Sequence, residues 1–347
     1  MKLGIGAVSF GPKVQINMDM ILRAEALGFD STWTAEAYGN DAVSTATWVL
    51  AKTTRIKVGT AIMQMPARTP AMAAMTAMTL DHLSGGRFIL GLGPSGPQVI
   101  EGWHGVPYGK PLTRTREYIA IIRKILAREE PLEFHGEEYD IPARGAGTTG
   151  LGKPLKSILH GNPNLPIYTA SISPNGLRCA GEVADGVFPM MMDPEKFDRT
   201  YLPYIEEGFA KAGGGKNLSN FAVVPGVSVI VTDEPEKARM AVKGGMALYI
   251  GGMGARDKNF YNDLAKRLGY EAAAVEIQNL FLSGKKMEAA AAVPDALVDA
   301  VHLVGPKAKI RDRLQAWKEA GRKGWVNTMQ IATTQPEALE LLAQELL

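Results

Sequence analysis

Apolar residues recur along this chain in two rhythms. Short apolar runs closed by Gly, Pro, Asn or Ser alternate with longer stretches whose apolar positions return every three or four residues. The first pattern predicts strands and the second amphipathic helices. Strands are expected at 3–9, 31–35, 56–63, 87–92, 167–171, 185–190, 221–231 and 326–332. Helical spacing fills 14–27, 42–52, 70–83, 113–127, 174–183, 195–211, 234–282, 307–321 and 337–347. The punctuation agrees. Gly28 closes the first helix, Pro70 opens the third, and Ser84, Gly85 and Gly86 follow its end. Over 113–127, Tyr118, Ile121, Ile122 and Ile125 share one face.

Strict alternation requires parallel strands joined by crossover helices. Eight such units in 347 residues predict an α/β fold, a (β/α)8 TIM barrel with insertions, with a doubly wound open sheet as the other possibility. The chain reads as one domain, 1–347, with insertions near 131–166 and 256–294. The first insertion carries the glycine-rich run 144–152, and so long an irregular stretch predicts a functional insertion or a lid. A barrel also fixes where chemistry sits, at the C-terminal ends of the strands.

Composition narrows the function. Thirty-eight basic residues against 36 acidic ones leave a formal charge of +2, which provides no field for nucleic acid or an anionic membrane. A hydrophobic share of 46% and a charged share of 21% are those of an ordinary soluble globular protein. The single cysteine, Cys179, excludes an internal disulfide framework and a Cys-rich metal site, and suits a cytoplasmic setting. No run approaches the roughly 20 apolar residues of a membrane helix, and the first residues lack the pattern of a secretory leader. The five histidines, at 82, 104, 135, 160 and 302, lack metal-ligand spacing, so no metal site is expected. The expected partner is a small-molecule substrate.

Several residues could carry chemistry. The run from Gly91 to Gly96 matches G-x-G-x-x-G after a strand, but Pro97, Gly102, Gly105 and Pro107 break the helix that a dinucleotide fingerprint needs. These glycines read instead as a turn at the top of strand 4 where a ligand can approach the backbone. Ser171 and Ser173 precede a helix opening at Pro174; Ser173 is either a simple N-cap or part of an anion site made with helix N–H groups. Glu36, at the end of strand 2, is placed to donate a proton or to orient a ligand. His104 falls in the loop after strand 4, on the same face, and is a candidate for acid–base work. Tyr38, Trp103 and Met190 come from that face too, as a substrate pocket or as ordinary packing.

The ordered set of segments 57–62, 68–71, 80–93, 167–174, 180–186 and 304–311 resembles the bacterial luciferase-like superfamily, and within it the branch using the deazaflavin coenzyme F420. The resemblance implies an F420-dependent oxidoreductase that moves a hydride between the deazaflavin and an organic substrate. It also implies a homodimer. An FMN-dependent monooxygenase and a non-catalytic flavin-binding paralogue are the competing readings. In the family a non-prolyl cis peptide lies against the ring; the matching bond is Ala61–Ile62. Pro94, Ser95 and Gly96 would offer backbone contacts, and Ala170, Ser171, Ile172 and Ser173 would cradle the cofactor's phosphate. The sugar-phosphate dehydrogenases of this branch carry an acid followed by His at the end of strand 2. Here Glu36 is followed by Ala37, which disfavours that oxidation and leaves a C=C, C=N or carbonyl group as the acceptor. Substrate specificity is expected in the two insertions.

Overall fold

The computed structural model describes every residue except Phe10. The main path of its parallel sheet is made of β1 (Lys2–Gly6), β2 (Ser31–Thr34), β3 (Lys57–Thr60), β4 (Phe88–Gly93), β5 (Ile167–Ala170), β6 (Gly186–Phe188), β7 (Ala222–Val223), β8 (Gly226–Val231), β9 (Leu303–Gly305) and β10 (Thr328–Ala332). They pair in parallel in the order β7-β6-β5-β4-β3-β2-β1-β10-β8-β9. The two pieces β7 and β8 are one run interrupted only by Val224 and Pro225, so the path returns to the strand it left. Asn327 N donates to Val223 O at 2.9 Å and Gln330 N to Pro225 O at 2.9 Å, joining that run to the last strand. The ring therefore has eight positions, as the alternation predicts. Strand β9 hangs outside it on the upper half of β8, with Val229 opposite Leu303. It lies in none of the predicted strands.

Packing explains two more departures. The helix expected over 14–27 begins only at Met18 (α1, Met18–Ala26), because Gln15–Ile16 pairs with Val8–Ser9 and Asn17 Oδ1 caps Met20 N. The region 234–282 is not one helix. It divides into α2 (Pro235–Ala247), a π turn (Leu248–Gly252), α3 (Phe260–Arg267) and α4 (Glu271–Leu282). Gly251 and Gly252 lie against the Phe281 ring, where any Cβ would overlap it. That close approach folds the π turn onto α4, and Asn259 then caps a new helix.

Trp33 of β2 fills the barrel interior. Its ring centroid stands 5.1 Å from Phe188 and 6.1 Å from Tyr168. Gly59 leaves room for that indole, and Gly91 lies so close to the Thr60 carbonyl that no Cβ fits. Thr60 Oγ1 accepts from Gly91 N and donates to Gly91 O, at 2.9 and 2.7 Å, which locks β3 to β4. The first insertion is anchored to two helices. Its hairpin (Phe134–His135 with Asp140–Ile141) is fixed to the helix Pro111–Ala127 by Glu117, whose carboxylate accepts from the N–H groups of Glu137, Glu138 and Tyr139. Farther along, the carbonyl of His160 meets the ring of His82 near the end of the helix Pro70–Ser84, at the N-terminal side of the barrel. Among the described residues, no helix is long and apolar enough to cross a membrane.

Candidate functional site

The C-terminal ends of β2 to β6 bring most of the singled-out residues together. Glu36 follows β2 by two residues. Its side chain is 6% exposed and faces Arg68, which is 19% exposed. The carboxylate takes four hydrogen bonds. Arg68 Nη1 and Nη2 donate at 2.5 and 3.0 Å, Gln64 N at 2.7 Å and Ala42 N at 2.9 Å. Both oxygens are thus committed to a two-pronged ion pair and two backbone groups. This is the geometry of an anchor that ties the ends of β2 and β3 to one helix start.

Gln64 extends this network. It sits past β3, in register with Gly93 at the end of β4, and is 1% exposed. Its Nε2 donates to Ala37 O at 2.6 Å, and its Oε1 faces His104 Nε2 at 3.1 Å. The Ala61–Ile62 peptide, separated from it by Met63, is cis. The Ile62 side chain lies over Gly93, where a Cβ would stand 2.8 Å from it. Beyond Gly93, Ser95 takes φ 57° and its carbonyl accepts from the Tyr108 hydroxyl at 3.1 Å. Burial pushes the Tyr108 phenol above its ordinary pKa, although Arg114 pulls the other way.

At the end of β5, Ser173 caps the helix Pro174–Val183 by accepting from Gly176 N at 3.2 Å. A Cβ on Gly176 would stand 3.0 Å from Ser173 Oγ and 3.1 Å from Ser171 Oγ. The two hydroxyls therefore converge on the start of a ten-residue helix, at a point left open by the missing side chain. Arg267, from the end of α3, donates through Nη2 to Ile172 O at 2.6 Å, while its Nε is buried without a partner. Met190 lies beside this region and its carbonyl accepts from the buried Tyr201 hydroxyl at 2.9 Å. Tyr38 and Trp103 are 68% and 67% exposed, so they stand at the rim rather than in an enclosed pocket. Tyr249 of the π turn and Tyr261 of α3 pack with centroids 4.8 Å apart, and burial raises both phenols.

The remaining polar candidates are accounted for elsewhere. His302 is enclosed; burial pushes its pKa down to about 4, and its Nδ1 accepts from Ser228 N at 3.1 Å. Cys179 packs near Leu112 O, and burial pushes its thiol up to about 11. Among the described residues, no three His, Cys, Asp or Glu side chains gather as a metal site would require. Gln64 and Arg267 were not singled out from the sequence, because no local spacing marks them. Arg68 lay inside a recognised segment without a role.

The family model for luciferase-like monooxygenases matches residues 4–324. This chain belongs to that family. A Mycobacterium tuberculosis protein that carries the provisional name coenzyme F420-dependent oxidoreductase is 43% identical over 92% of this chain and 93% of its own length. The 5,10-methylenetetrahydromethanopterin reductase of Archaeoglobus fulgidus is 28% identical, over 93% of this chain and 92% of its own. The coenzyme F420-dependent tetrahydromethanopterin reductase of Methanopyrus kandleri superposes with a TM-score of 0.77 at 24% identity, over 99% of this chain and 97% of that one. That structural likeness establishes the luciferase-like TIM-barrel fold.

Proposed function

We propose that this protein is a coenzyme F420-dependent oxidoreductase that passes a hydride between the deazaflavin and a small organic substrate. The observation that carries the reading is the open cradle at Gly176. Two serine hydroxyls, a helix N-terminus and an Arg267 fork with a buried partnerless Nε suit the anionic side chain of such a cofactor. The 43% identity to a relative named for F420 supports the cofactor class.

When bound, the deazaflavin supplies two electrons as a hydride and reacts poorly with oxygen. The chain does the rest. Ser171, Ser173 and the N–H groups after them would hold the phosphate. Ala61, Ile62, Pro94, Ser95 and Gly96 would back and flank the ring. Glu36 would keep the strand ends in place through Arg68, and that buried ion pair supports a positioning role over proton transfer. His104 would hold or accept the proton that accompanies the hydride. Tyr38, Trp103 and Met190 would contact the substrate, with Tyr249 of the π turn and Tyr261 of the second insertion adding a wall.

The proposal covers one catalytic domain, a cytoplasmic location and a homodimer. The exposed apolar stripe Met72, Met75 and Leu83 on one face of the helix Pro70–Ser84 suits a second copy, and sedimentation at one chain mass would exclude that dimer. A flavin monooxygenase must protect a flavin peroxide, and the buried, high-pKa Cys179 is not placed to do so. The reduced F420 complex is accordingly expected to survive mixing with aerated buffer for many turnover times. Rapid oxygen consumption by the reduced protein would overturn this reading.

A further inference from the structure

We propose that Gln64 is the positioning residue that fixes the tautomer of His104 and so makes Nδ1 its proton-exchanging atom. The inference starts from an amide whose orientation is decided by its neighbours. Gln64 Nε2 is 2.6 Å from the Ala37 carbonyl, which can only accept. The amide NH2 must point there, and the amide oxygen must face His104. That oxygen can only accept, so His104 Nε2, 3.1 Å away, must carry a hydrogen. In the neutral imidazole the other nitrogen, Nδ1, is then a bare acceptor. Gln64 itself cannot turn over. It is 1% exposed and its own backbone N–H is held by Glu36 at 2.7 Å. The Glu36–Arg68 pair thus anchors the residue that orients His104.

The groups around the imidazole are consistent with this assignment. Gln64 meets it from the strand side, and the backbone N–H of His104 donates to Val99 O at 3.1 Å, which holds the loop but does not touch the ring. Glu101 and Tyr108 on the same loop bond to each other, through Glu101 Oε1 and Tyr108 N at 3.2 Å. Arg68 is engaged by Glu36. No carboxylate is bonded to the ring among the described residues. Nδ1 can therefore serve both directions of a hydride reaction. In reduction, the acceptor's π bond would break as its carbon gains the hydride that a bound reduced deazaflavin, itself oxidised, would supply. The proton on Nδ1 of the imidazolium then passes to the acceptor's other atom, leaving neutral imidazole to be reprotonated by water. In oxidation, the bare Nδ1 takes the hydroxyl proton instead.

This inference rests on the oxidoreductase reading only for its second test. The first test needs no cofactor. In 15N-histidine-labelled protein, the His104 resonances, assigned by their absence from H104N, are expected to show the Nε2–H tautomer. Gln64→Met keeps side-chain volume but removes both the amide donor and the amide acceptor, and should release the ring to a mixture of tautomers. An Nδ1–H tautomer in the wild type, or an unchanged tautomer in Q64M, would overturn the proposal. The second test is turnover of reduced F420 with cyclohexenone as the hydride acceptor. H104A should lower kcat roughly 10²–10⁴-fold, the range of a general acid or base. Q64M should lose most of that factor with KM little changed, and Q64M/H104A should fall no further than H104A. Additive losses, or full activity in Q64M, would sink the positioning role. Failure to bind F420 in any form would instead indict the cofactor reading and leave the tautomer result standing.

Discussion

Glu36→Ala is expected to destabilise the protein by about 3–5 kcal/mol, because it strands Arg68 with its partner gone. The guanidinium is 19% exposed and the carboxylate 6%, so water replaces little of what is lost. Two backbone donors, Gln64 N and Ala42 N, lose their acceptor in the same substitution. Urea unfolding should show a midpoint well below that of the wild type with an unchanged slope. Glu36→Ala combined with Arg68→Met should cost clearly less than the sum of the two single changes, since the double variant leaves no unpaired charge. Wild-type stability in Glu36→Ala would show that the four hydrogen bonds contribute no net support. It would also remove the reason to assign Glu36 to positioning.

The second large effect concerns affinity. Ser171→Ala and Ser173→Ala should each weaken F420 binding about tenfold to a hundredfold, since a hydrogen bond to a charged group contributes roughly 1.5–3 kcal/mol. Gly176→Ala should weaken it further by filling the gap, because its Cβ would stand 3.0 and 3.1 Å from the two hydroxyl oxygens. Ser173 also caps its helix, so Ser173→Ala carries about 1 kcal/mol of stability loss. Ser173→Thr keeps both the hydroxyl and the cap, and should retain affinity. A deazaflavin riboside without the phosphate should bind the wild type and these variants alike. Equal affinity of all variants for intact F420, measured by fluorescence titration, would show that the phosphate lies elsewhere.

The sequence disclosed the barrel because strands buried on both faces read as continuous apolar runs, and 87–92, wholly buried from Phe88 on, is of that kind. It hid β9 because three residues, Leu303–Gly305, carry no period. It hid the break after Ala247 because a glycine pair is tolerated in a helical pattern, and the reason for it, the Phe281 ring, lies thirty residues away. The site divides in the same way. Ser173 before Pro174 announces a helix start by local chemistry alone. Ala61–Ile62 stood out only by resemblance to a family. Gln64 and Arg68 had no local signature, because their meaning comes from Glu36, Ala37 and His104, which only the closed ring brings beside them. The first insertion was open between a functional insertion and a lid because length and glycine content say nothing of direction. Glu117 draws its hairpin against a helix on the barrel's outside.

The most direct test is a parallel equilibrium titration of cofactor-free protein with F420 and with FMN, each followed by its own fluorescence. The expected result is saturable F420 binding that is tighter than FMN binding and weakened by Ser171→Ala. Tight FMN binding with no F420 binding would contradict the account and place the protein among the flavin-dependent members of its family.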